Sequence, residues 1–145
     1  MKRFIDHPVV IGYNKSNKFG TLLGMDLKVL EMGEILYTMP VTAELLATPI
    51  AAHGGAVSAL MDAAMGVCAL SEVITDGKVV STIEMKISFI APAILGDVLF
   101  STAEILKKGH RMLFVEGKIK NQNDKLIAVA SGTFNSYPAE KVGFE

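Results

Sequence analysis

One stretch limits what this chain can fold into more than any other. From Gly54 to about Ile74 the residues are apolar nearly all round, and between Gly54 and Leu70 the single charged side chain is Asp62. A helix without a polar face must be buried on most sides. Asp76-Gly77 is a turn signal at its end. The chain beyond reads as four strands. In Val79 to Phe89, apolar Ile83, Met85, Ile87 and Phe89 alternate with Thr82, Glu84, Lys86 and Ser88. Period two over eight residues predicts a half-buried strand. Pro92 ends it, and Gly96-Asp97 opens the next, which runs to about Lys107. Lys108-Gly109 turns into Arg111–Lys120, and Asn121 to Asp124 turns into Lys125–Ser136.

Upstream, Leu22–Leu30 and Glu34–Val41 are strand candidates joined by a hairpin turn at Met32-Gly33-Glu34. Glu44 to Ala52, containing Pro49, reads as a loop. The first 18 or so residues read as a short helix or an arm over the core. The order β-β-α-β-β-β-β predicts an α+β domain, with a six-stranded antiparallel sheet wrapped around one long central helix. Such a sheet has two edges and an open face, which a second copy would partly cover.

At 145 residues, the expectation is a single domain over 1–145, with its core at about 20–137 and an N-terminal arm at 1–18. Half the residues are hydrophobic and a fifth are charged, which is rich in apolar residues for one domain and predicts a subunit interface. The formal charge of −1 lacks the basic excess of a general nucleic-acid or anionic-membrane binder. Met1 to Tyr13 lacks the long apolar core of a signal peptide. Ala56 to Leu70, interrupted by Ser58, Asp62 and Gly66, reads as too short to cross a bilayer. A cytoplasmic location is the default expectation. The lone Cys68 permits no intrachain disulfide and reads as a small core residue. Met25, Met39, Met61, Met65 and Met85 also read as core.

Two features of the helix carry chemistry. Burying an unpaired carboxylate costs several kcal/mol, on the order of the penalty for any isolated charge, so Asp62 needs hydrogen bonds, a role, or both. Gly55, Ser58, Ala59, Gly66 and Ala69 lie three, four or seven positions away and share its face. That face has room for another backbone or a thin ligand, while Leu60, Val67 and Leu70 point elsewhere. At the helix start, Gly54 and Gly55 let a ligand oxygen approach unpaired N–H groups. A thioester carbonyl held there would be polarised, and a carboxylate in the same pocket would serve as general base on water. On this reading, thioester hydrolysis needs neither metal nor cofactor. His7 and His110 have no sequence partners that suggest metal ligation.

The run His53-Gly54-Gly55-Ala56-Val57-Ser58-Ala59-Leu60-Met61-Asp62 resembles the hotdog-fold acyl-CoA thioesterases, in particular the PaaI-like branch of the phenylacetate pathway. Ile83 to Pro92, Gly96-Asp97, Lys107 to Arg111 and Ala128 to Phe134 are similar to that branch as well, so the resemblance spans roughly residues 20 to 137. It implies that the Gly55 N–H meets the thioester carbonyl. Asp62 would act as general base, or else as nucleophile, across a homodimer interface. Thr82 would hold the water or the carboxylate, and His53 would shape the pocket. Glu84, Phe89 and Lys107 would line the CoA arm. A homotetramer is implied too. From the residues themselves, Gly54 leaves a ligand room at the helix start, and the basic hairpin with His110 and Arg111 is suited to meet phosphates. One departure stands out: the branch usually has Asn or Gln six residues before the histidine, where this chain has Ala47, followed by Thr48 and Pro49. A non-catalytic acyl-CoA binding module and an enoyl-thioester hydratase are the alternatives. The acyl group, and the choice between CoA and acyl carrier protein, stay open.

Overall fold

The computed structural model describes residues 4–31 and 34–144. The apolar stretch is one helix, Gly54–Val73, which tightens into a 3₁₀ turn at Ile74–Asp76 and stops at Gly77 in the left-handed region (φ 69°). Two shorter helices precede it, so the labels run α1 (Pro8–Ser16), α2 (Lys18–Leu23) and α3 (Gly54–Val73). The strands are β1 (Asp26–Glu31), β2 (Glu34–Pro40), β3 (Lys78–Phe89), β4 (Val98–Lys108), β5 (Met112–Asn121) and β6 (Leu126–Pro138). They form one antiparallel sheet in the order β1-β2-β4-β5-β6-β3. The sheet wraps α3, which touches every strand from β2 to β6. The α+β architecture read from the sequence is the one found.

Two expectations are corrected. Leu22–Leu30 is not all strand, because its first residues finish α2. Asn17 caps that helix by accepting the Gly20 N–H at 3.0 Å, and Gly24 ends it at φ 76°. A side-chain cap followed by a left-handed glycine outweighs loose alternation. The N-terminal arm is therefore two capped helices, with His7 Nδ1 accepting the Val9 N–H and Pro8 in the first turn of α1. The second correction concerns the apolar stretch. From Gly54 through Asp76 the helical segment reaches membrane-spanning length and hydropathy, yet 67% of its apolar 18-residue stretch is buried inside the domain. Its apolar surface is consumed by the sheet. The expected hairpin turn at Met32-Gly33 lies outside the described residues.

The core follows the binary pattern. β5 alternates without a break, turning Leu113, Val115, Gly117 and Ile119 inward. They meet Leu60, Met61, Ala64, Met65 and Cys68 of α3, all fully buried. Each large apolar side chain buried this way contributes roughly 1.5–3 kcal/mol. Met39 is buried as well, and Met25 and Met85 flank the core. Burial pushes the Cys68 thiol up to about 11, with Glu72 and Glu104 adding to the rise, as expected for an inert packing thiol. Two glycines set how closely helix and sheet approach. A Cβ on Gly117 would fall 2.6 Å from Met61 Sδ and 3.0 Å from Met65 Cγ, and one on Gly132 would fall 3.2 Å from Met65 Cε. Gly117→Val therefore overpacks the contact, and urea unfolding should show a loss of about 1–3 kcal/mol.

Candidate active site

The start of α3 is built from local chemistry. His53 has extended backbone (φ −64°, ψ 135°) and caps the helix, its Nδ1 accepting the Gly55 N–H at 2.7 Å. His53 and Gly55 are both exposed. The loop before them is braced: the His53 N–H donates to the Leu45 carbonyl, and Thr48 Oγ1 accepts the Ala51 N–H at 2.9 Å. Thr48, next to the amide-free position Ala47, is thus occupied within its own loop. Over Gly54 lies the ring of Phe89, so close that a Cβ there would sit 3.2 Å from Phe89 Cζ. The structure therefore gathers His53, Gly54, Gly55 and Phe89 at one end of the helix. It also shows the Gly55 N–H already holding His53, so a substrate oxygen must displace that cap to use it.

Asp62 lies two turns further along α3. It is half-buried rather than fully buried, because it opens towards β3 at the sheet edge. Its Oδ1 accepts the Thr82 hydroxyl at 2.7 Å. The pairing depends on an irregularity in β3. Opposite β6, Thr82 pairs with Phe134 and Glu84 with Thr133, and Ile83 is the extra residue. A bulge of this kind re-aims side chains. Thr82 shares the helix face with buried Phe134. Glu84 turns to the outer face, where its Oε1 accepts the Thr133 hydroxyl at 2.6 Å. Two residues of one alternating strand thus part company: Thr82 joins Asp62, and Glu84 does not.

The basic hairpin between β4 and β5 is at the other end of the molecule. Lys108 Nζ donates to the Glu72 carbonyl at 2.7 Å and lies 3.8 Å from Asp76, a cation placed at the negative end of α3. Lys107, His110 and Arg111 are exposed beside it. Gly55 and Glu72 are separated by about 25 Å of helix at 1.5 Å per residue. A single protomer does not bring this hairpin to its own helix start.

A cavity of about 370 Å³ opens beside Asp62 and Thr82, walled by Gly66, Val67, Val80, Tyr137 and, from the two chain ends, Tyr13 and Phe144. Sequence reasoning missed Tyr13, Tyr137 and Phe144. They lie far from the motif, and their placement depends on α1 and the C-terminal segment folding over α3. Tyr137 Oη and Ser81 Oγ are 2.6 Å apart on its wall. Burial pushes the Tyr13 phenol up against a hydrogen bond with Tyr37, and the Asp62 charge raises it further. Tyr37 is likewise raised, chiefly by burial. β3 is an edge strand, and Ile83 and Phe89 along it, with Ile90 just beyond its end, are 53–56% exposed. This edge departs from the half-buried pattern of the sequence because none of the described residues covers it.

Residues 51–128 match the sequence profile of the Thioesterase superfamily. The chain is 30% identical over 110 residues to the acyl-coenzyme A thioesterase PaaI of Escherichia coli, covering 76% of each. The solved structure of the E. coli PaaI protein, from the phenylacetic acid degradation operon, superposes with a TM-score of 0.80 over 88% of this chain and 89% of that one, at 26% identity. A Streptococcus mutans protein solved with acetyl-CoA bound shares the fold at 24% identity (TM-score 0.70, 79% and 89% covered). The chain belongs to the Thioesterase superfamily, in its PaaI-like hotdog branch, and its chemistry is thioester hydrolysis.

His53→Ala removes the cap of α3. Thermal unfolding should register a loss of about 1 kcal/mol, the usual worth of a helix N-cap.

Proposed function

We propose that the chain hydrolyses acyl-CoA thioesters at two equivalent sites of a homodimer, each using the helix start of one protomer and Asp62 of the other. The observation that carries this reading is a spacing. Gly55 and Asp62 are on the same helix, about 10 Å apart along its axis. An oxyanion donor and a general base must each come within about 3 Å of the reacting group. One protomer cannot supply both to a single carbonyl. Two protomers joined antiparallel along the exposed β3 edges can, because a two-fold axis brings the start of one α3 towards the middle of the other. It also carries Lys107, His110 and Arg111 of one protomer to the end where the other begins its helix. There they would face the phosphates of CoA, while Phe89 would pack against its arm and Gly54 would leave it room.

The chemistry needs only the chain's own groups. Thr82 holds one oxygen of Asp62, and the second oxygen takes a proton from water. Water oxygen attacks the thioester carbon, and the developing oxyanion meets the Gly55 N–H once His53 has swung aside. The tetrahedral centre collapses, the carbon–sulfur bond breaks, and the CoA thiolate leaves and is protonated. Neither metal nor cofactor enters the scheme. Ala47 supplies no amide, so orientation of the water falls to Asp62 and Thr82. We extend the proposal to a tetramer through the outer sheet face, where Lys86, Glu104, Glu116 and Lys118 ring a hollow of about 550 Å³. The setting is cytoplasmic.

The test is thiol release from a panel of acyl-CoAs. Asp62→Asn should lower kcat by roughly 10²–10⁴-fold, the usual worth of a general base. Gly55→Pro removes the N–H donor at a position where proline fits the first helical turn. Each variant alone should be inactive, and a purified heterodimer of the two should regain about half the wild-type rate, because symmetry leaves one of its two sites intact. A heterodimer as inactive as its parents would refute the shared site, and a wild type inert towards every acyl-CoA would end the thioesterase reading.

A further inference from the structure

One hydroxyl beside Asp62 keeps a proton that the fold does not use. Among the described residues, the polar side chains lining the cavity are Tyr13, Asp62, Ser81, Thr82 and Tyr137. Thr82 gives its proton to Asp62 Oδ1. Ser81 and Tyr137 hold each other at 2.6 Å, and either can be the donor. Tyr13 differs from these, because its oxygen is already engaged as an acceptor.

Two donors meet Tyr13 Oη. Asn17 Nδ2 donates to it at 3.3 Å. The orientation of that amide is set by its other end, where Asn17 Oδ1 accepts the Gly20 N–H at 3.0 Å as the cap of α2. Tyr37 is the second donor. It is 2% exposed, so its hydroxyl proton needs an acceptor, and its hydroxyl bonds that of Tyr13. Burial raises the pKa of both phenols. Within that rise their shared bond lowers Tyr13 and raises Tyr37, the sense expected when Tyr37 donates. A phenol that accepts from its neighbours still has its own proton to give. Among the described residues no acceptor takes the Tyr13 proton, and the raised pKa keeps it in place at neutral pH.

We infer that Tyr13 is a positioning residue for the hydrolysis: its hydroxyl donates a hydrogen bond to the attacking water while Asp62 takes a proton from that water. The inference rests on the reading of Asp62 as general base. Asp62 and Thr82 Oγ1 meet the water as acceptors, so by themselves they hold its protons and leave its lone pairs free to turn. A donor on one lone pair fixes the other, which must point at the thioester carbon. Ala47, in the loop before α3, has no polar side chain to do this. In the step itself the water proton passes to Asp62, the water oxygen bonds the carbon, and Tyr13 keeps its own proton throughout. The helical arm at the N-terminus thereby becomes part of the site.

Tyr13→Phe and Tyr37→Phe make the test. Each breaks the same bond between the two phenols, and only Tyr13→Phe removes the proton offered to water. For both variants, alone and combined with Asp62→Asn, kcat and KM are measured with whichever of acetyl-, octanoyl- and phenylacetyl-CoA wild type turns over fastest. Tyr13→Phe should lower kcat by roughly 10- to 100-fold, up to the cost of a misplaced reacting group, with KM within about twofold. Tyr37→Phe should stay within about threefold of wild type in kcat, since the cavity-facing proton survives. In the Asp62→Asn background Tyr13→Phe should cost less than about threefold, because groups that act on one water are not additive. Equal kcat values in the two phenylalanine variants, a change confined to KM, or full additivity with a slow Asp62→Asn would overturn the role of Tyr13 and leave the general base standing. A wild type inert towards all three substrates, or an Asp62→Asn as fast as wild type, would remove the base and overturn both.

Discussion

Everything in this molecule depends on how closely α3 lies against the sheet. The helix is apolar on nearly every side, so it must be wrapped, and the glycines at 117 and 132 let Met61 and Met65 sit against the strand backbones. Core packing at this density leaves little freedom to slide or rotate. Once the helix is fixed, so are its two chemical stations. The capped start at His53 emerges at one end, and Asp62 is held two turns along, facing the edge strand. A looser helix would blur both.

The site is equally a product of that edge strand. β3 has a neighbour on one side only, and its bulge at Ile83 turns Thr82 towards Asp62 while sending Glu84 outward. An open edge with Ile83 and Phe89 exposed is the surface that the proposed homodimer would cover. In the proposed dimer the same edge would bear on catalysis and on assembly. On the proposed mechanism one protomer does not bring Gly55 and Asp62 to a single carbonyl, and the two-fold pairing we propose supplies the missing half. In the proposed mechanism His53 would add a second layer of control, since its imidazole satisfies the Gly55 N–H until substrate displaces it.

Much of this was legible in the residues. The long helix, the succession of strands along the chain, the core methionines and Cys68 follow from hydrophobic period and turn signals, which are local. The pairing of Asp62 with Thr82 was implied by the resemblance, and the structure holds them 2.7 Å apart. Glu84 faces away from Thr82, which strict alternation does not reveal, because one extra residue lies between them in the strand. The start of β1 was overrun, because the Asn17 cap and Gly24 stop of α2 were not weighed. Tyr13, Tyr137 and Phe144 left no local signal at all. They meet Asp62 only because both chain ends fold over α3.

By itself, then, the sequence determined the α+β architecture, the chemical nature of the helix start and the identity of the one carboxylate on the apolar helix. Those are consequences of period, propensity and charge cost, each readable within a few turns of chain. Tertiary structure alone decided which groups meet. It placed the basic hairpin at the far end of its own helix, turned Glu84 away, capped the Gly55 N–H with His53 and built the cavity over Gly66. Each of these depends on contacts between residues distant in sequence, and no local pattern encodes the register, bulge or chain crossing that brings such residues together.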